Sequence, residues 1–134
     1  LNLFTGPIHE NIWKALIADS TNPLYDRPIQ SVYPPGSTFK MVTAVAALEE
    51  KIVSKNWTIH CPGFYRLGRR TIKCWKADGH GEVNLESAIQ NSCNVYFYQL
   101  GLKIGMDTWE KYSRIFHFGE KIAVKMPTDH MGSI

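Results

Sequence analysis

A serine and a lysine stand three residues apart in the stretch Tyr33-Pro34-Pro35-Gly36-Ser37-Thr38-Phe39-Lys40. A serine hydroxyl becomes a useful nucleophile when a neighbouring base takes its proton. On a helix the i, i+3 spacing puts both side chains on one face, so Lys40 comes within reach of the Ser37 oxygen. Lysine acts as a base only when neutral. Burial in apolar surroundings and the positive end of a helix dipole both lower its pKa. The same helix start offers backbone N–H groups to a developing oxyanion. The competing reading is a serine at a helix N-terminus beside a lysine that keeps its ammonium in solvent. The spacing arises freely by chance and leaves both readings open.

The elements that must hold this pair follow from the pattern around it. Pro34-Pro35-Gly36 is a hard turn. Beyond it Phe39, Val42, Val45 and Leu48 recur every third residue, with Ala44, Ala46 and Ala47 between them. That predicts a helix of about four turns, apolar nearly all round and buried, closed by Glu49-Glu50-Lys51. Upstream, Ile12, Trp13, Leu16 and Ile17 predict a short amphipathic helix over 11–19, ended before Pro23. Residues 24–32 read as irregular or extended. Downstream, Cys61-Pro62-Gly63 is a turn, and residues 64–67 and 70–75 about Gly68-Arg69 predict a β-hairpin. Residues 77–81 form a loop. Asn84 caps a helix over 84–90, and Asn91-Ser92-Cys93-Asn94 interrupts it. A helix over 95–104 stops at Gly105, and Asp107 caps a last one over 108–116.

The 134 residues suffice for one small domain. A hydrophobic content of 44% against 20% charged predicts a packed core rather than disorder. The net charge is +3, and the densest basic group, Arg66, Arg69, Arg70 and Lys73, reads as a solvated hairpin face rather than a nucleic-acid surface. No run reaches the length of a membrane span, and no signal peptide opens the chain. The chain begins at Leu1 and ends at Met131-Gly132-Ser133-Ile134 without terminating logic, and its most apolar helix wants more cover than the rest supplies. A fragment of something longer is expected.

The cysteines number three, Cys61, Cys74 and Cys93. They allow one bridge and a free thiol, three reduced thiols, or three metal ligands. With His80 between the second and third there is no Cys-x-x-Cys knuckle. The residues alone fit a Cys61–Cys74 bridge across the hairpin base, or buried thiols. His9, His60, His117 and His130 read as surface or packing residues.

Ser-x-x-Lys, followed by Ser-Asp-Asn and Lys-Thr-Gly, is the signature of penicillin-binding proteins and class A β-lactamases. The stretch 33–40 resembles the nucleophile motif of the class B penicillin-binding proteins. Asn22-Pro23-Leu24-Tyr25-Asp26-Arg27-Pro28 and Leu1-Asn2-Leu3-Phe4 are also similar to that transpeptidase domain, and the resemblance runs through essentially the whole chain, nearest to the elongation-type enzymes. Ser-x-Asn occurs at Ser20, Ser54 and Ser92. The first precedes the nucleophile and the second follows its helix too closely. The third lies in the break between two helices, before the family-like Val95-Tyr96-Phe97-Tyr98-Gln99, which selects Ser92 and Asn94. None of the ten lysines is followed by Thr-Gly or Ser-Gly. Residues 118–127 resemble the family's next loop but carry Ile122-Ala123-Val124-Lys125 where Thr-Gly-Ile-Asp is usual.

The resemblance implies a mainly α chain with a small β-hairpin, the helical subdomain of the α/β penicillin-binding protein transpeptidase (serine β-lactamase-like) fold. Residues 1–134 would be part of that domain, without the Lys-Thr/Ser-Gly strand or the N-terminal membrane anchor and pedestal. It implies acylation of Ser37 by a D-Ala-D-Ala stem peptide, with Lys40 as base, Ser92 as proton shuttle and Asn94 orienting the peptide. β-Lactams would be trapped at Ser37. The parent would work at the periplasmic face of the bacterial inner membrane with a glycosyltransferase and elongation-complex proteins, and the piece alone would be nearly inactive. Some elongation-type members carry zinc on two carboxylates, a histidine and a cysteine. Here those positions are Cys61, Cys74, His80 and Cys93, so the resemblance implies a structural zinc. The rival expectation is a non-catalytic, zinc-stabilised binding module.

Overall fold

Prolines and glycines punctuate the chain, and the elements run between them in the computed structural model, which describes residues 5–120. Those residues form two units, 5–33 and 34–120, each with its own contacts. In the first, α1 spans Glu10–Ala18 and carries a Glu10–Lys14 ion pair at 2.7 Å across one helical turn. The helix ends where Asp19 Oδ1 accepts from the Thr21 amide and hydroxyl at 2.8 and 2.7 Å. Those bonds hold the Asp19 carboxyl below its ordinary pKa. Residues 24–32 were expected to be irregular, yet they contain one helical turn, α2, Arg27–Gln30. Pro28 sits in its first turn, where a fixed φ suits a helix and no N–H is missed.

In the second unit Gly36–Phe39 is a 3₁₀ turn and α3 runs Lys40–Glu49. Gly36 enters at φ +57°, a left-handed geometry that glycine adopts without strain. Thr38 Oγ1 donates to the Pro35 carbonyl at 2.7 Å and fixes the turn. Phe39 packs on Trp109 and Phe118, each at 4.8 Å between ring centroids. α3 buries Val42, Thr43, Ala44, Ala46 and Ala47, but Met41 and Leu48 stay exposed. Among the described residues α3 is covered on one side, not all round as its composition predicts.

Two small antiparallel pairs follow. β1, Ile59–Cys61, pairs with β4, Gly81–Val83. β2, Phe64–Leu67, pairs with β3, Arg70–Lys73, as the hairpin pattern predicts, although the ladder stops before Cys74. The β1–β4 pair was not foreseen. α4, Leu85–Gln90, has the expected cap: Asn84 Oδ1 accepts from the Ser87 amide at 2.9 Å, and Ser87 Oγ accepts from the Asn84 amide at 3.0 Å. α5 spans Asn94–Ile115 with a break at Gly105 (φ 74°, ψ 170°). Helical backbone resumes directly after Gly105, so Asp107 lies inside the second segment's first turn rather than capping it. Val95, Tyr96 and Leu100 of α5 close on Ala46 and Ala47 of α3 and Ala88 of α4, all buried. Small residues opposite large ones let the helices approach closely. Glu50 at the end of α3 accepts from Lys111 at 2.6 Å and Tyr112 at 3.1 Å on α5.

Candidate active site and an adjoining thiol–imidazole cluster

Ser37 sits in the 3₁₀ turn, where residues three apart eclipse, and Lys40 opens α3. Ser92 lies in the link between α4 and α5 at φ 49°, a region serine seldom occupies. Lys40 Nζ donates to the Ser92 carbonyl at 2.8 Å, to Ser92 Oγ at 2.9 Å and to Asn94 Oδ1 at 2.7 Å. Ser92 Oγ in turn donates to Ser37 Oγ at 3.0 Å. Spacing alone has Lys40 reaching Ser37 directly; the hydrogen bonds run Lys40–Ser92–Ser37 instead. Ser37 makes no capping bond, so its helix-cap reading finds no support.

Burial pushes the Lys40 pKa below its ordinary value, and the nearby Cys74 and Cys93 sulfurs oppose that shift. The Phe97 ring, 5.5 Å from Nζ, also favours the ammonium. The geometry dictates what a neutral Lys40 does. A carbonyl oxygen and an amide oxygen can only accept, so they keep two N–H donors. The remaining lone pair faces Ser92 Oγ, the partner that can donate. Hydroxyl hydrogens rotate, and the Ser92 oxygen can then accept from Ser37. Ser37 is exposed and Lys40 half-buried, which leaves the hydroxyl open and the amine withdrawn.

The same link contributes Cys93 to a second cluster. Cys61 ends β1, Cys74 follows β3, His80 precedes β4 and Cys93 precedes α5. Their ligand atoms all lie within 4.8 Å of one another. Cys61 Sγ and Cys74 Sγ are each 3.6 Å from His80 Nδ1. Tetrahedral zinc with ordinary bond lengths would set sulfur–nitrogen distances of about 3.5 Å. All three cysteines are buried and free, so the Cys61–Cys74 bridge is not formed. Burial, then the Lys76 and Lys40 charges, hold the His80 pKa down and keep its lone pair available. Burial pushes the Cys74 thiol up, but the backbone amides of Lys76, Asn94 and Val95 favour the thiolate and the net shift is downward. Burial foremost pushes Cys93 up to about 12. His80 Nε2 is buried with no hydrogen-bond partner. A soft, closed Cys₃His donor set fits zinc.

Two glycines close this cluster. A Cβ on Gly63 would lie 1.9 Å from the Ala77 oxygen, and one on Gly79 would lie 2.1 Å from the Cys61 oxygen. Both have positive φ. Their bare backbones let the loops cross, so the His80 amide reaches the Cys61 carbonyl at 3.0 Å and the Cys74 amide reaches that of Gly63 at 2.7 Å.

Every residue singled out for chemistry thus falls in one of two adjoining clusters. His9, His60 and His117 are exposed, the last two paired with Glu82 and Glu120. His130 and positions 121–127 of the departing loop lie outside the described residues. Sequence reading missed Trp75, whose indole reaches the turn that carries Ser92; its exposed position beside Cys74 gave no periodic signal.

Residues 6–134 match the penicillin binding protein transpeptidase domain. The chain belongs to that family. It is 38% identical over 133 residues to the peptidoglycan D,D-transpeptidase MrdA of Acinetobacter baumannii, covering 98% of this chain and 20% of that one. The fold is similar to Pseudomonas aeruginosa PBP2 in complex with WCK 5153, with TM-score 0.88, 36% identity and coverage of 99% and 31% of the two chains. It is likewise similar to PBP2 of Helicobacter pylori in a complex with MreC, with TM-score 0.86, 39% identity and coverage of 96% and 24%. The chain spans about a fifth of the curated relative it matches. The family resemblance read from the motifs holds, and these likenesses lend no support to a non-catalytic zinc-stabilised module. Among the described residues no helix is long and apolar enough to cross a membrane.

Proposed function

We propose that this chain is the nucleophile-bearing part of a peptidoglycan D,D-transpeptidase, residues 1–134 forming one helical subdomain of a larger α/β domain. The observation that carries the reading is the continuous hydrogen-bonded path from Lys40 through Ser92 to Ser37, at 2.9 and 3.0 Å. Ser37 Oγ attacks the carbonyl between the two D-Ala residues of a stem peptide. Its proton passes to Ser92 Oγ as the Ser92 proton passes to Lys40. The tetrahedral intermediate expels the terminal D-Ala amine, which takes a proton back along the same path. Asn94 Oδ1 is committed to Lys40, which leaves Nδ2 for a carbonyl of the stem peptide. An amine of a second stem peptide then attacks the acyl-enzyme, forms the cross-link and frees Ser37. A β-lactam enters the same first step and stays attached.

Cys61, Cys74, His80 and Cys93 would hold a structural zinc ion, which at this place would lock the hairpin and its following loop to the Ser92–Asn94 turn. The 3.6 Å spacing of the Cys61 and Cys74 sulfurs from His80 Nδ1, and the gathering of all four ligand atoms within 4.8 Å, support that set. The third motif, Lys-Thr/Ser-Gly, belongs on a strand supplied by another part of the parent, so this piece alone should acylate weakly. The likeness to a PBP2 in complex with MreC supports elongation-complex proteins as partners of the parent; a glycosyltransferase partner and an anchor at the periplasmic face of the inner membrane belong to the same proposal.

Mass spectrometry after β-lactam treatment of the full-length protein tests the reading. The expected result is one adduct on Ser37, absent in Ser37→Ala. An adduct that persists in Ser37→Ala, or none in the wild type, overturns it.

A further inference from the structure

The turn that presents Ser92 is held in an uncommon conformation, and the side chains that hold it come from two places. Ser92 sits at φ 49°. The peptide plane before it carries the Asn91 carbonyl, which accepts from Trp75 Nε1 at 2.9 Å. The plane after it carries the Ser92 carbonyl, which accepts from Lys40 Nζ at 2.8 Å. Fixing both flanking planes fixes φ and ψ of Ser92, and with them the direction of its Cα–Cβ bond. Lys40 is already part of the relay. Trp75 is not.

Trp75 is 64% exposed, so core packing does not explain a tryptophan there. Its ring stands edge-on to the His80 ring, 5.2 Å between centroids at 66°. That contact sets the plane of the indole and aims its one donor at Asn91. Asn91 is itself fixed, its Nδ2 donating to the Ser87 carbonyl at 2.9 Å. We infer that Trp75 is a positioning residue for acyl transfer: its indole N–H braces the Asn91 carbonyl and so aims Ser92 Oγ between Lys40 and Ser37. It acts through the backbone and touches no reacting atom. The inference rests on the relay role of Ser92 given above.

The test replaces Trp75 in the full-length protein with β-(3-benzothienyl)alanine, which keeps both fused rings and puts sulfur in place of N–H. Trp75→Phe is the second variant. Stopped-flow acylation by a chromogenic cephalosporin separates the binding constant Kd from the acylation rate constant k2. Amide hydrogen exchange is read at Ser92 and Cys93, whose N–H groups bond to Ile89 and Ala88. Loss of one neutral hydrogen bond should lower k2 roughly three- to tenfold, with Kd, metal content and Tm unchanged and faster exchange at those amides. Wild-type k2 in the benzothienyl variant overturns the inference. So does a loss confined to Kd, which would make Trp75 a substrate platform, or a loss of k2 that tracks metal content or Tm. Ser92→Ala serves as the control for the relay. If it acylates at the wild-type rate, the relay fails, and the exchange rates still decide whether Trp75 braces the turn.

Discussion

The two side-chain clusters that meet at residues 92–94 are built in opposite ways. Ser92 and Asn94 turn toward Lys40, while Cys93 between them turns toward Cys61, Cys74 and His80. The first cluster is satisfied by its own hydrogen bonds and opens to solvent at Ser37. The second has three buried sulfurs gathered about a half-buried imidazole, with Cys61 and Cys74 Sγ each 3.6 Å from His80 Nδ1. A proton relay needs groups that exchange roles, and hydroxyls and an amine do so without changing position. An anchor needs groups that do not move, and soft donors crowded within 4.8 Å are fixed by a shared ion better than by one another. On the proposed function, one tripeptide would serve mobility of protons on one side and immobility of backbone on the other.

The contrast can be broken at the relay first. Lys40→Met in the full-length protein should lower acylation by roughly 10²–10⁴-fold, measured with a fluorescent penicillin. Lys40→Arg keeps the charge but never yields the lone pair, so it should be as inactive. In the wild type the acylation rate should rise with pH through the Lys40 pKa, because the neutral amine is the base. Burial moves that limb below the pH of an ordinary lysine, and a pH–rate profile without such a limb would count against Lys40.

Breaking the anchor should do less to chemistry and more to order. If the cluster holds the proposed zinc, a chelator should slow acylation by roughly 10–100-fold, as loss of an outer support does at other sites, and should lower Tm. Stripped protein that acylates at the unstripped rate would separate the two clusters entirely. Gly79→Ala drives a methyl into the Cys61 carbonyl. It should cost about 2–4 kcal/mol in denaturant unfolding and reduce metal content. The smallest effect belongs to neither cluster. Asn84→Ala removes the cap of α4 and should cost about 1 kcal/mol while leaving the acylation rate constant near wild type.

What could be read from sequence divides along the same line. Ser37 and Lys40 were legible because their relation is local. So were the hairpin and the Asn84 cap, each set by a few neighbouring residues. The Ser92 hydroxyl meets Ser37 across a separation of 55 residues, and only family context chose it from three Ser-x-Asn triplets. Nor could spacing show that Ser92 stands between Lys40 and Ser37. The β1–β4 pair escaped notice because strands of three residues carry no readable alternation. Apolar composition overstated the burial of α3: it says what a helix tolerates, not which of Met41, Leu48 and their neighbours find cover. The ligand set came from resemblance, and the glycine crossing that brings its loops together has no sequence pattern beyond the glycines themselves.

The bonds that join Lys40, Ser92, Asn94 and Ser37 also carry a timing. They close across 52 to 55 residues of chain, and closing such loops costs entropy that only later packing returns. A growing chain that has reached the hairpin possesses its serine and lysine but neither Ser92 nor Asn94. At that stage Ser37 is an ordinary alcohol and Lys40 an ordinary surface cation. On the proposed relay, reactivity would arrive with the docking of α5, and a chain that stalls or misfolds before that step would carry no live nucleophile.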